Sequence, residues 1–186
     1  MTTGDWQRRW RHWLESGDLV ELLPEVAALK GVAQPPEYHA EGDVFAHTRL
    51  AVESLDPGSD ERVFWAVLLH DIGKKATTRH SDGRWTAHGH VQLGAELAPA
   101  ILQRLQLGQL AEDVAWLIRH HHFALDWGNH VETGLTARQR RLTKHPLFPL
   151  LIEVCWADNR ASHGHSDKGA RLEAILRQLS SQQSCT

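Results

Sequence analysis

Residues 60–72 are expected to form one helix, apolar without a break from Val63 to Leu69, and the run closes as Val67-Leu68-Leu69-His70-Asp71-Ile72-Gly73-Lys74. A helix that is apolar all round belongs at the centre of a bundle rather than on its surface. The His70-Asp71 pair therefore enters the core with that helix. An unpaired carboxylate in such a place is costly, so Asp71 demands a partner. A bound divalent cation is the simplest one, and imidazole with carboxylate suits a borderline or hard metal. Gly73 is expected just past the helix end, where a left-handed residue is favoured.

The rest of the chain predicts helices almost throughout, because apolar residues recur at spacings of three and four and strand-like alternation is scarce. An amphipathic helix over 5–16 carries Trp6, Trp10, Trp13 and Leu14 on one side. Left exposed, that face would suit a partner or dimer contact. Leu19 to Leu29 predicts a short helix entered near Pro24, and Gly31 to Gly42 a loop broken by Pro35-Pro36. Further helices are expected from Asp43 to Leu55, His90 to Leu105, Gln109 to His121, Thr136 to Lys144, Leu147 to Ala161 and Asp167 to Leu179. Residues 74–87 are polar and loop-like, with Asp82-Gly83 as a turn, and 123–135 form another loop. The expected class is all-α: a single compact helical bundle over 20–179, with a helical extension at 1–19 and a disordered tail at 180–186.

A length of 186 residues suits one domain. The net charge of −3 argues against a broad basic surface for double-stranded DNA, but leaves room for a local phosphate pocket. With only Cys155 and Cys185, a disulfide scaffold is not expected, and a reducing cytoplasm fits. No apolar run approaches the ~20 residues that span a bilayer, and the first residues have no signal-peptide core. Fourteen histidines stand out, since histidine is the commonest metal ligand.

Several polar residues fall on apolar helix faces. Asp158 follows Leu151 and Val154 at helical spacing, and His47 lies between Val44 and Ala51. Asp43 stands one turn before His47, so the two can converge, although an Asp there also makes an N-cap. His121 follows Val114 and Leu117, and His90 opens a helix carrying Leu93 and Leu97. Each alone has a plainer reading: a lone core histidine is usually satisfied by hydrogen bonds, and Asp158 could pair with Arg160 or another Arg. Their conjunction on different predicted helices is what points to a metal site of the kind bundles build.

Order and spacing together carry a resemblance. The stretch Leu23-Pro24-Glu25-Val26 through Tyr38-His39-Ala40-Glu41-Gly42-Asp43-Val44-Phe45-Ala46-His47-Thr48 resembles the entry to the HD domain of bacterial CCA-adding tRNA nucleotidyltransferases. Leu69 to Lys74, Asp82-Gly83-Arg84, Gly89-His90, Gly94 to Leu97 and Arg119-His120-His121 continue it, over roughly 20–160. No Gly-Ser motif with paired carboxylates precedes the region, so the resemblance is to the HD module standing alone and does not imply CCA addition. It implies a helical metal-dependent phosphohydrolase fold with His47, His70, Asp71 and Asp158 as the metal-binding signature. His90 and either His120 or His121 match the additional ligands of two-metal members, with Asp71 bridging. Asp43 matches a carboxylate that some members add as a further ligand or a support. His122, His88, His163 and His165 are secondary candidates as supports or substrate contacts. His39 is expected in a loop near the mouth, and His12, His80, His130 and His145 on the surface.

The metal could be one or two ions of Mn, Fe, Co, Ni or Zn. Such an ion acidifies water and polarises a phosphoryl oxygen. Asp71, Lys74 and His90 are the expected catalytic residues, with Lys74, Arg79 and Arg160 as phosphate contacts, Arg84 and Arg119 being weaker ones. Lys74 also has a plain reading as a cation at a helix C-terminus. The HD modules of CCA-adding enzymes imply phosphatase and 2′,3′-cyclic phosphodiesterase activity. A nucleotide or RNA-end substrate is therefore expected, with Trp85 and Trp127 as stacking candidates. The alternatives are a nucleotide-specific phosphatase or dinucleotide hydrolase, and a non-catalytic metal-stabilised module that binds RNA or protein. No Gly-Tyr-Pro follows His121-His122, which counts against cyclic-di-GMP hydrolysis.

Overall fold

The computed structural model describes residues 5–127 and 135–183. His130 and the last tail residues, 184–186, lie outside the described residues. In chain order the elements are α1 (Asp5–Ser16), α2 (Leu19–Leu22), α3 (Pro24–Ala27), α4 (Val44–Glu53), α5 (Glu61–Leu69), α6 (Lys74–Thr77), β1 (Arg79–Ser81), β2 (Arg84–Thr86), α7 (His90–Arg104), a 3-10 turn (Gly108–Leu110), α8 (Ala111–His120), α9 (Phe123–Asp126), α10 (Ala137–Thr143), α11 (Phe148–Ala161) and α12 (Lys168–Gln183). The expected all-α class holds.

The apolar helix α5 is the centre. Every residue from Val63 to Leu69 is buried, and α4, α8 and α11 pack around it while α7 lies along α8. Asp60 starts α5 by accepting a hydrogen bond from the Arg62 amide at 2.8 Å. The α1 tryptophan face is not free for a partner: Trp6 and Trp10 are buried, and Trp6 stacks on Phe64 of α5 at 4.8 Å between ring centroids. The extension is thus part of the core.

Four local expectations are corrected. The expected Leu19–Leu29 helix is two short turns, because Leu23 leaves helical geometry just before Pro24. The polar 74–87 segment holds α6 and an antiparallel hairpin in which His80 faces Trp85. Asp82 and Gly83 both have positive φ, 50° and 73°, the geometry of a tight two-residue hairpin turn. Gly73 is not left-handed but helical, φ −63°; a Cβ there would stand 2.2 Å from the His90 carbonyl oxygen. The missing side chain is what lets the start of α7 approach the His70–Lys74 backbone. Helix α12 also runs on through Gln183, past the expected end at Leu179.

Among the described residues, no helix is long and apolar enough to cross a membrane.

Candidate metal centre

The centre is assembled from the residues just past α5, from His47 of α4, the last turn of α11, the first residue of α7 and the residue that follows α8. In each case local backbone geometry aims one ring nitrogen inward. His70 Nδ1 donates to the Val67 carbonyl at 2.7 Å, His90 Nδ1 to Ala87 at 2.7 Å and His121 Nδ1 to Ile118 at 2.6 Å. A backbone carbonyl accepts only, so each ring carries its proton on Nδ1 and presents a bare Nε2. This is the support a metal-ligating histidine requires.

His47 is fully buried and anchored differently. Its Nδ1 is 2.7 Å from Glu41 Oε1, and its Nε2 is 3.0 Å from Asp158 Oδ1. Burial opposes charging of this ring, but the carboxylates of Asp158 and Glu41 outweigh it and hold its pKa above the ordinary value. Glu41 also meets His39 Nδ1 at 2.7 Å and accepts from the His163 amide at 2.9 Å. Burial disfavours its charge, yet these bonds, led by that to His47, bring its pKa down to about 2.

Asp71 lies at the junction. Its Oδ2 is 3.2 Å from His70 Nε2 and 2.8 Å from Lys74 Nζ, and its Oδ1 is 3.5 Å from His90 Nε2. Burial disfavours the carboxylate, but the neighbouring His70 ring and Lys74 ammonium hold it ionised, with a pKa well below the usual range. Burial lowers the pKa of His90, and lowers that of His121 well below the ordinary value. His122 falls to about 3 through burial and the nearby Lys168 charge. These rings are neutral near pH 7, the form that ligates metals.

Four buried polar atoms here have no hydrogen-bond partner, His70 Nε2, His90 Nε2, His121 Nε2 and Asp71 Oδ1, while Asp71 Oδ2 is met by the Lys74 ammonium at 2.8 Å. Buried polar groups are rarely left so, because each orphan costs about 1–3 kcal/mol. The convergence of orphaned imidazole and carboxylate atoms fits a divalent cation. His47, His70 and Asp71 bring one ligand atom each within 4.8 Å of one another, and so do His90, His121 and His122. The first group with Asp158, and the second with Asp71, could each hold an ion.

Of the residues expected from sequence, His47, His70, Asp71, His90, His121, Asp158 and Lys74 come together. Others do not. Asp43 is the N-cap of α4; its oxygens accept from Ala46 N at 2.8 Å and Gly31 N at 2.7 Å, leaving Glu41 beside His47 instead. His120 turns away from His121, bonds the Trp116 carbonyl and stacks on the Trp116 ring. Arg79 folds back on the carbonyls of Ala76 and Thr78. Arg160 is exposed on α11, and the cation on Asp158 is instead Lys168, whose Nζ is 3.0 Å from both carboxylate oxygens. His39 is in a loop and lines the cavity beside the centre, as expected, although little of it is exposed.

Glu41, Lys168 and the placement of His122 were missed. Glu41 lies in a loop, where no periodicity marks burial. Lys168 opens α12, ten residues after Asp158, and no local pattern couples the two. His122 differs from its neighbours only in its position past the α8 terminus.

A cavity of about 880 Å³ opens beside the centre. Its lining includes His90, His122, Lys74 and Lys168, together with Trp85 and Arg171.

The HD domain family model matches residues 42–162. The chain is an HD-domain protein. That family is typically one of metal-dependent phosphohydrolases. Among curated proteins, this HD domain is similar to the Multifunctional CCA protein of Alkalilimnicola ehrlichii, 41% identical over 175 residues, covering 88% of this chain and 40% of that protein. It is also similar to the Multifunctional CCA protein of Cupriavidus metallidurans, 35% identical over 159 residues, covering 83% and 38%. The A-adding tRNA nucleotidyltransferase of Deinococcus radiodurans is 36% identical over 160 residues, covering 82% and 35%. The chain spans about two fifths of the length of the curated relatives it matches.

Proposed function

We propose that this HD-domain protein is a metal-dependent phosphoesterase that hydrolyses phosphomonoesters or 2′,3′-cyclic phosphates of nucleotides or RNA ends. The observation that carries the reading is the set of orphaned Nε2 and carboxylate atoms gathered around Asp71, beside an 880 Å³ cavity that His90 and Lys74 line. His47, His70, Asp71 and Asp158 would hold one divalent ion, and Asp71, His90 and His121 a second, with His122 beside them. A bound divalent cation supplies an acidified water and a Lewis acid for a phosphoryl oxygen.

The protein's own groups do the rest. Lys74, tied to Asp71 and to Gln34 Oε1 at 2.9 Å, lines the cavity and would hold a phosphate oxygen. Lys168 and Arg171 add positive charge to the same wall. Trp85 offers a ring face for a base, backed by His80 at 4.5 Å between centroids. One relative, the A-adding tRNA nucleotidyltransferase of Deinococcus radiodurans, carries tRNA in its name, which supports an RNA end as the substrate class.

The test is hydrolysis of a short RNA ending in a 2′,3′-cyclic phosphate by metal-stripped protein with Mn, Co, Ni, Zn or Mg added back, beside Asp71→Ala. Metal-dependent opening that is lost in the variant supports the reading. Hydrolysis of free nucleotides alone would move the assignment to a nucleotidase. Stoichiometric metal with no turnover of either would sink it and favour a binding module.

A further inference from the structure

The end of α8 separates two cavities. His121 points into the metal centre, while His120 lines a second cavity of about 600 Å³ on the other side. Asp126 borders both. Likewise Val91, at the start of α7, lines the first cavity and its neighbour Gln92 the second. The two recesses adjoin along one edge.

The second cavity has an aromatic wall. Trp116 is packed against two imidazoles, His145 stacked at 4.0 Å and 11° and His120 tilted at 4.3 Å and 32°. Trp127 adds a further ring. Around it stand Arg119, Arg138 and Arg141, all exposed. None of these guanidiniums forms a hydrogen bond or ion pair with a described residue, whereas Arg62, Arg104 and Arg171 are each held by carboxylates. A single exposed arginine is ordinarily just a solvated charge. Here three converge on one aromatic-lined recess, and among its described lining residues only Asp126 is acidic.

Unpaired guanidiniums lining the same recess as aromatic rings are what a single nucleic-acid strand requires: phosphates meet cations and bases stack. The chain as a whole is acidic, net −3, so a polyanion finds no general attraction and must use local features. We propose that the Arg119–Arg138–Arg141 recess binds the nucleotides preceding an RNA 3′ end whose terminal phosphate lies at the metal centre, so that the protein selects single-stranded RNA ends over mononucleotides. What happens to that terminus rests on the phosphoesterase reading; the strand contact does not.

The test uses the charge-reversing pair Arg138→Glu and Arg141→Glu, both exposed and outside the metal centre. Binding of a fluorescein-labelled single-stranded RNA of about twelve nucleotides is followed by anisotropy on metal-stripped protein across a salt series. The double variant should bind about tenfold or more weakly and lose roughly one to two from the log–log salt slope. Its thermal midpoint, and its hydrolysis of a mononucleotide 2′,3′-cyclic phosphate, should match those of the unmodified protein. Equal RNA affinity in the two proteins, or no RNA binding by the unmodified one at about 100 µM, would overturn the proposal. Failure of the unmodified protein to turn over the mononucleotide would count against the phosphoesterase reading alone, since anisotropy needs no turnover.

Discussion

The ammonium of Lys168 stands 3.0 Å from both carboxylate oxygens of Asp158, and Asp158 Oδ1 is also 3.0 Å from His47 Nε2. A buried ligand carboxylate thus carries an internal counter-cation from the first turn of α12. Burial disfavours the charge of Asp158, and Lys168 is the foremost reason its pKa still falls well below the usual range.

Lys168→Ala should destabilise the metal-free protein by about 3 kcal/mol, because it leaves a buried charge unpaired. A divalent cation bound at the same carboxylate would replace the lost charge and recover much of that stability. Calorimetric scans of both proteins with and without added Mn or Co check this. An equal deficit in both conditions would show that Lys168 and the cation do not act on the same charge.

Glu41→Gln should keep the fold but weaken metal binding by about 10–100-fold. Glu41 Oε1 is within 2.7 Å of both His39 Nδ1 and His47 Nδ1, so the carboxylate fixes which nitrogen of His47 faces the centre. Isothermal titration of stripped protein reads the affinity directly. An unchanged constant would leave Glu41 as packing only.

Gly73→Ala should cost about 1–3 kcal/mol through overpacking, since its Cβ would meet the His90 carbonyl oxygen at 2.2 Å and Gly94 N at 3.0 Å. Gly94→Ala should cost less, its nearest contacts being His70 O at 3.3 Å and Ile118 Cγ2 at 3.4 Å. Urea midpoints rank the two. The reverse order would mean that α7 can move away from the His70–Lys74 backbone at little cost.

Asp60→Ala should cost about 1 kcal/mol at neutral pH by removing the cap of the helix that delivers His70 and Asp71. The Arg62 side chain, bonded to both oxygens at 2.7 to 2.9 Å, lowers the Asp60 pKa against the opposing effect of burial. A carboxylate whose pKa is lower folded than unfolded contributes stability above its unfolded value of about 3.9. That contribution is lost as the pH falls through the folded value. The gap between the two proteins should therefore be full at pH 6 to 7 and shrink below about pH 4; a pH-independent gap would assign the loss to helix propensity alone.

The sequence by itself determined what is periodic. Apolar spacing placed α4, α5, α7, α8 and α11, and it set His47, His121 and Asp158 on buried faces because a residue's position on a helix follows from its number. The all-apolar run ending in His70-Asp71 put that pair in the core, and helical phase already favoured His121 over His120. Tertiary structure decided what depends on approach between distant segments. Asp43 and Glu41 are two residues apart, yet one caps α4 and the other orients His47, because the loop before α4 folds back over the helix start. Gly73 is required by the His90 carbonyl of another helix and not by its own turn, and the hairpin at 79–86 arises from a tight turn joining segments with no alternation to announce them. Lys168 reaches Asp158 only because α12 docks against α11. Helix phase is local and legible in the chain; the partner of a buried charge is chosen by packing, and no spacing encodes it.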